Sequence, residues 1–264
     1  MPEAEARAAD FALMKEAVRE AGAIAMRFYQ TDHKQWSKAH DNTPVTEADI
    51  EVNELLHARL AVARPDYGWL SEETEDDSSR LTQPLVWVVD PIDGTRAFIA
   101  GESAWAVSLA VAHEGRITAA AVFLPAQDKL FTAALGAGAT LNGAPIHASM
   151  ASDPETATIL AAKPVMAALN WIGTPPPQRH YRPSLAYRAC LVAQGRFDAM
   201  IALRATWEWD IAAATLIVTE AGGTATNRTG APLLFNTPTA QNMGCIAAAP
   251  GVHGALLARL TAPQ

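Results

Sequence analysis

The stretch Leu85-Val86-Trp87-Val88-Val89-Asp90-Pro91-Ile92-Asp93-Gly94-Thr95 constrains this chain more than any other, because it drives an apolar, β-branched run straight into a turn carrying two carboxylates. A run of that length and composition predicts a buried strand. Asp90 then falls at its C-terminal end, where open α/β sheets place ligands. Pro91 fixes φ and gives up its N–H, and Gly94 lets a ligand approach the backbone closely. Asp90 and Asp93 suit a hard cation, while the amides of Gly94 and Thr95, opening the next helix, suit an anion. Taken alone, such residues are more simply an Asp-rich turn with Asp93 as a helix cap. That reading leaves the acidic segments on either side unexplained.

The flanking sequence supplies an α/β frame. Phe11, Met14, Val18, Ala21, Ala25 and Phe28 recur at helical spacing, so a first amphipathic helix is expected from about Ala4 to Tyr29. The segment Asp41-Asn42-Thr43-Pro44-Val45-Thr46-Glu47-Ala48-Asp49 leads into a second helix with Leu55, Leu56 and Leu60 on one side. Thr46 and Asp49 match a capping box there, a role compatible with Asp49 offering an oxygen to a cation. Tyr67 to Leu70 reads as a strand ending in Ser71-Glu72-Glu73, one short connection before the strand that ends at Asp90. Trp105 to Val111 and Ile117 to Phe123 alternate like a hairpin about Glu114-Gly115, with a third strand over Lys129 to Ala134. Polarity rises around Ser149 to Pro154, which places the boundary between an N-terminal lobe, 1–150, and a C-terminal lobe, 151–264. Beyond it, Ile159 to Ala162 reads as a strand, 171–183 as a Pro-rich loop, Ser184 to Gln194 as a helix and Phe197 to Ala202 as a strand. A helix opened by Asp210, a strand over Gly244 to Ala249 and a last helix from Val252 complete the pattern.

With 264 residues, half of them apolar, the chain can bury a large core without disulfides. Cys190 and Cys245 sit in apolar contexts and read as buried free thiols. The net charge is -8 with no Lys/Arg cluster, which argues against a nucleic acid polymer as partner. The N-terminus lacks the basic-then-apolar order of a signal peptide and no apolar run reaches membrane-spanning length, so the expected compartment is the cytoplasm.

Asp49, Glu72, Asp90, Asp93 and Asp210 each fall at a strand end or helix start and offer oxygen ligands only, which suits Mg²⁺. The seven histidines lack metal-ligand spacing, and there is no nucleophile elbow. Cations held by such carboxylates serve phosphate ester hydrolysis by metal-activated water. Asp90-Pro91-Ile92-Asp93-Gly94-Thr95, with Glu72-Glu73 before it, Pro44-Val45-Thr46-Glu47-Ala48-Asp49 earlier, and Trp209-Asp210-Ile211-Ala212-Ala213 with Glu220-Ala221-Gly222-Gly223 later, resembles the inositol monophosphatase family of Mg²⁺-dependent phosphatases. The ordered set, covering nearly the whole chain, carries the resemblance. It implies an α/β fold, a five-layer αβαβα sandwich of two lobes, in a homodimer with the active site between the lobes. It further implies two or three Mg²⁺ ions held by Glu72, Asp90, Asp93, Asp210 and the Ile92 carbonyl. Glu72 and Thr95 would orient the attacking water, Asp49 would serve a more loosely held cation, and the Gly94 and Thr95 amides would hold phosphate. The chain departs from the family pattern at Ser71 and at Pro183-Ser184, where glycine is usual before the Glu and before the Ser/Thr.

Substrate choice is less constrained. Where inositol-type members carry a Glu seven residues before the Trp-Asp aspartate, this chain has Leu203, with Arg204 beside it. Leucine offers inositol hydroxyls no acceptor, and an unpaired polar group costs roughly 1–3 kcal/mol. Thr95-Arg96-Ala97-Phe98-Ile99 resembles branches acting on 3'-phosphoadenosine 5'-phosphate or on histidinol phosphate, and Ser184-Leu185-Ala186 with the hairpin strand from Trp105 to Leu109 resembles bacterial bisphosphate nucleotidases. The expected substrate is therefore 3'-phosphoadenosine 5'-phosphate, with inositol 1-phosphate and histidinol phosphate as alternatives. Arg96, Ser184 and Arg204 are candidate substrate contacts, and Arg204 with Arg179 or Arg182 is expected to pair a second anionic group on the substrate. A catalytically silent metal- or phosphate-binding regulator is the alternative of another class, and the presence of both Glu72 and Thr95 speaks for the enzyme.

Overall fold

The computed structural model describes residues 2–38 and 43–262; Asp41 and Asn42 of the expected helix lead-in lie outside the described residues. The chain opens with α1 (Pro2–Phe28), a hairpin of β1 (Gln35–Ser37) and β2 (Pro44–Thr46), and α2 (Glu47–Ala63). Then follow β3 (Gly68–Ser71), β4 (Leu85–Asp93), α3 (Thr95–Ile99), β5 (Ala106–His113), β6 (Arg116–Leu124), β7 (Lys129–Ala134), β8 (Ala139–Leu141) and β9 (Ala144–Pro145). Strands β3 to β9 form one seven-stranded sheet in sequence order. Only β3 and β4 run parallel in it, and the β5–β6 hairpin closes through Glu114 (φ 49) and Gly115 (φ 81), the left-handed pair that a tight hairpin turn demands.

The second half contributes β10 (Thr158–Ala161), β11 (Gln178–His180), α4 (Leu185–Ala193), β12 (Ala199–Ala202), β13 (Thr206–Trp207), α5 (Glu208–Glu220), β14 (Thr224–Thr226), β15 (Gln241–Asn242), β16 (Cys245–Ala248) and α6 (Pro250–Ala258). Its five-stranded sheet has the order β11-β10-β12-β16-β14. The segment expected as a plain loop, 171–183, contains β11, which pairs parallel with β10 at the sheet's edge. Its Gln178-Arg179-His180 sequence is polar and exposed, as suits an edge strand, and it carries no apolar alternation to signal a strand.

Strand alternation sorts the core into three packed interfaces. Trp87, Val89, Leu109 and Val111 face α1 and α2, burying Met14, Val18, Val52, Leu56 and Leu60. Val86, Val88, Ala110 and Val122 face the other way, onto α4 and α5, whose far side packs on Leu160, Met200 and Ala247 of the five-stranded sheet. Ile159, Ile201 and Ile246 then cover Val252 and Leu256 of α6. The layers thus run helix, sheet, helix, sheet, helix. Burial of each large apolar side chain is worth roughly 1.5–3 kcal/mol, and α4, sandwiched between sheets, is buried along its whole length.

Candidate active site

The acidic cluster gathers where β3, β4 and α5 meet. Because β3 runs parallel to β4 with Ser71 opposite Val89, the next residues, Glu72 and Asp90, emerge side by side, and the Glu72 amide donates to the Val89 carbonyl at 3.3 Å. Asp210 enters from the first turn of α5. One carboxylate oxygen from each of Glu72, Asp90 and Asp210 lies within 4.8 Å of the others. Among the described residues, Asp90 Oδ1 is buried without any hydrogen-bond partner. Buried acceptors are nearly always satisfied, so three converging carboxylates with an orphaned oxygen among them fit a bound divalent cation.

Strand β4 runs on past Asp90 to Asp93 through an irregularity between the two residues, rather than ending at Val89. Asp93 consequently points to the start of α4. Its Oδ2 accepts from the Ser184 hydroxyl at 2.6 Å and the Ala186 amide at 2.6 Å, and its Oδ1 from the Leu185 amide at 3.2 Å. Ser184 is also the N-cap of α4, accepting from the Tyr187 amide. It is fully buried and engaged with Asp93, so its hydroxyl positions that carboxylate instead of standing open to a substrate. Gly94 takes φ 100, and a Cβ there would stand 3.3 Å from the Ala104 carbonyl and 3.4 Å from Ser184 Cβ. Thr95 opens α3; its hydroxyl lies 3.1 Å from the Ile92 carbonyl and 3.4 Å from Asp49 Oδ1. Asp49 Oδ2 accepts from the Thr46 amide and hydroxyl at 2.8 and 2.6 Å, the reciprocal arm of the expected capping box. Ser71, at the first departure from the family pattern, donates to Asn53 Oδ1 at 2.7 Å and ties the end of β3 to α2.

Burial drives the electrostatics. Asp90 is held well above the ordinary carboxylate range by burial and by the charges of Glu72, Asp93, Asp210 and Asp49. Asp210 is raised likewise by burial, Asp93 and Glu72. Asp93 rises to about 6 by burial, although the Ser184 hydroxyl and the α4 amides oppose the rise. Asp49 rises to about 6 from burial, against its Thr46 bonds. The carboxylates around Asp90 raise one another, a crowding that a bound cation relieves.

Several participants escaped the sequence reading. Lys38 places Nζ 3.0 Å from Glu72 Oε1 and 2.6 Å from Glu73 Oε1; it sits in a polar stretch with no pattern to mark it. Burial pushes Glu73 up to about 7 despite that ammonium. Arg188, on α4, donates to the Arg182 carbonyl, and its charge bears on Asp93. Leu203, read from sequence as offering substrate hydroxyls no acceptor, packs in the third core with Ile201 and Ile246. Arg96 and Arg204 are exposed, and Arg204 is close enough to Asp210 to lower its pKa. Arg179 and Arg182 spend donors on the Ala161 and Tyr181 carbonyls. A groove lined by Phe11, Lys15, Leu130 and Thr140 contains none of the acidic cluster.

The chain is 31% identical to the histidinol-phosphatase of Chlorobaculum parvum over 226 residues, covering 81% of this chain and 84% of that one. It is 33% identical to the inositol-1-monophosphatase of Rhizobium meliloti over 240 residues, covering 85% and 88%. Among solved structures, the IMPase of Thermotoga maritima superposes with a TM-score of 0.81 at 26% identity, covering 94% of each chain. The family model for the inositol monophosphatase family matches residues 7–263, and with these relatives it establishes that the chain belongs to that family and is a phosphoric monoester hydrolase.

Proposed function

We propose that the protein is a Mg²⁺-dependent phosphatase of a small phosphorylated metabolite, built from residues 1–150 and 151–264 acting as two lobes of one unit. The observation that carries this reading is the convergence of Glu72, Asp90 and Asp210 around a buried, unpartnered Asp90 oxygen. Asp93 and the Ile92 carbonyl complete the ligand set. Bound there, Mg²⁺ would neutralise the substrate phosphate and lower the cost of activating water. The chain's own residues do the rest. The Thr95 hydroxyl, anchored on the Ile92 carbonyl and Asp49, orients the attacking water together with Glu72. The Gly94 and Thr95 amides, which have no intrahelical acceptor at a helix start, hold phosphate oxygens. Asp49 serves a second, looser cation.

The lead substrate is 3'-phosphoadenosine 5'-phosphate, because the exposed cations Arg204 and Arg96 favour an ester with a second anionic group. Histidinol phosphate is the second reading, favoured by the relative 31% identical to this chain; its ammonium would meet the same arginines. Phosphate release from these two esters and inositol 1-phosphate, at equal concentration with Mg²⁺, tests the choice. The bisphosphate is expected to turn over fastest, and preference for the inositol ester would remove the nucleotide reading.

A further inference from the structure

Glu72 and Asp210 reach the cluster from distant parts of the chain, and a polar chain centred on buried Arg80 and Glu208 connects the segments that carry them. Arg80 is 1% exposed. Its Nε and Nη2 grip both oxygens of Asp76 at 3.0 and 2.7 Å, four residues beyond Glu72. Its Nη1 donates to Asn236 Oδ1 at 2.7 Å across 156 residues, and Asn236 Nδ2 returns to the Arg80 carbonyl at 3.1 Å. The Asn236 amide then donates to Glu208 Oε2, while the Thr237 amide and hydroxyl donate to Oε1 at 2.9 and 2.6 Å. Glu208, fully buried, is the first residue of α5 and precedes Asp210 by two positions.

We propose that Asp76, Arg80, Asn236 and Glu208 form a positioning brace that fixes Asp210 relative to Glu72 and thereby sets how tightly the carboxylate cluster takes a divalent cation. This rests on the cation site proposed above. Two further observations support it. Asn236 holds φ 57, a left-handed conformation that asparagine tolerates and most residues do not, while its side chain bonds Arg80 through both oxygen and nitrogen. A Cβ on Gly68 would lie 3.1 Å from Arg80 Cα and Cβ, so β3, which leads into Glu72, packs directly on the Arg80 backbone. A buried guanidinium adds little net stability once desolvation is counted. What such a network contributes here is geometry, in the way groups behind metal ligands hold them in place.

The test is calorimetric titration of Mg²⁺ into the metal-free full chain and three variants. Glu208→Gln presents an amide donor to backbone N–H groups, and Arg80→Lys keeps the charge but loses the fork that reaches Asp76 and Asn236 together. Glu220→Gln is the control: that carboxylate pins the other end of α5 to the Gly136 and Gly138 amides at 2.8 Å each, far from the cluster. The Mg²⁺ dissociation constant should rise roughly ten- to a hundredfold in Glu208→Gln and Arg80→Lys, with turnover rescued by saturating Mg²⁺ and substrate KM then unchanged. Glu220→Gln should bind Mg²⁺ as the native chain does, even at a lower Tm. Should the first two variants fail to fold, Gly68→Ala crowds the same arginine more gently and should weaken Mg²⁺ severalfold. Native affinity in the folded brace variants, or equal weakening in Glu220→Gln, overturns the brace alone. A native chain that takes up no Mg²⁺ overturns the cation site and the brace with it.

Discussion

Two shores of the cleft treat their carboxylates differently. On the α4 shore, Asp93 is wrapped by the Ser184 hydroxyl and the Leu185 and Ala186 amides. On the α5 shore, Asp90 leaves Oδ1 buried with no partner among the described residues, and Glu72 and Asp210 add negative charge beside it. Both aspartates lie on one strand and both are buried, so burial alone does not separate them. The protein completes the coordination of Asp93 by itself, whereas the α5 shore is complete only with a cation. Asp93 accordingly serves the fold as well as the site, and Asp90 serves the site at the fold's expense.

Asp90→Asn is the largest test of this contrast. It removes a ligand charge, so Mg²⁺-dependent phosphate release should fall by more than about a hundredfold, beyond the loss typical of groups behind the ligands. The same change relieves repulsion in the metal-free protein, whose Tm should rise, at about 2–4 °C per kcal/mol for a chain of this size. Asp93→Asn should also abolish turnover, but with its oxygen kept on the Ser184 hydroxyl and Ala186 amide its NH2 turns donor-to-donor against the Leu185 amide. Metal-free stability should drop by roughly 1–3 kcal/mol. Melting both variants without metal reads the contrast directly, and shifts of the same sign would erase it.

The acidic set was legible because each member carries a local signature: a strand running into Asp-Pro-x-Asp-Gly-Thr, a capping box at Thr46, a helix opened by Trp209-Asp210. The layered frame was legible from periodicity, since 85–89 is apolar on both faces and the Glu114-Gly115 turn announces its hairpin. Contacts made across the chain left no such trace. Lys38 reaches Glu72 and Glu73 from a stretch whose composition is that of any exposed loop. Arg80 and Glu208 stand in no pattern along the chain, and only folding shows them buried and joined through Asn236.

The pH dependence of stability sharpens the contrast at intermediate size. Asp49 and Asp93 rise from 3.8 to about 6 in the folded protein, and Asp90 and Asp210 are also raised well above their ordinary value. The folded state therefore binds these protons more tightly than the unfolded chain, and metal-free stability is lost as pH rises between about 4 and above 6. Asp76 and Asp198 are held low and work in the opposite sense, but only as pH falls toward 4 and below. Metal-free protein should thus melt higher at about pH 5.5 than at about pH 7.5, and saturating Mg²⁺, taking the place of protons, should shrink or invert the difference. A metal-free Tm that climbs steadily with pH would contradict the charge crowding on the α5 shore.

The smallest effect belongs to Ser184→Ala, on the shore the protein completes itself. The hydroxyl accepts from the Tyr187 amide at 2.9 Å and donates to Asp93 Oδ2 at 2.6 Å, so one atom caps α4 and steadies the carboxylate. Loss of an N-cap costs about 0.5–2 kcal/mol, and the Tm should fall by a few degrees. Because the Ser184 bond opposes the burial that raises Asp93, its removal should also move the acid limb of the pH–rate profile upward. The two readouts separate the roles of the hydroxyl. A fallen Tm with an unmoved acid limb would leave Ser184 as a helix cap only, while an unchanged Tm would mean the Leu185 and Ala186 amides suffice to dock α4 onto Asp93.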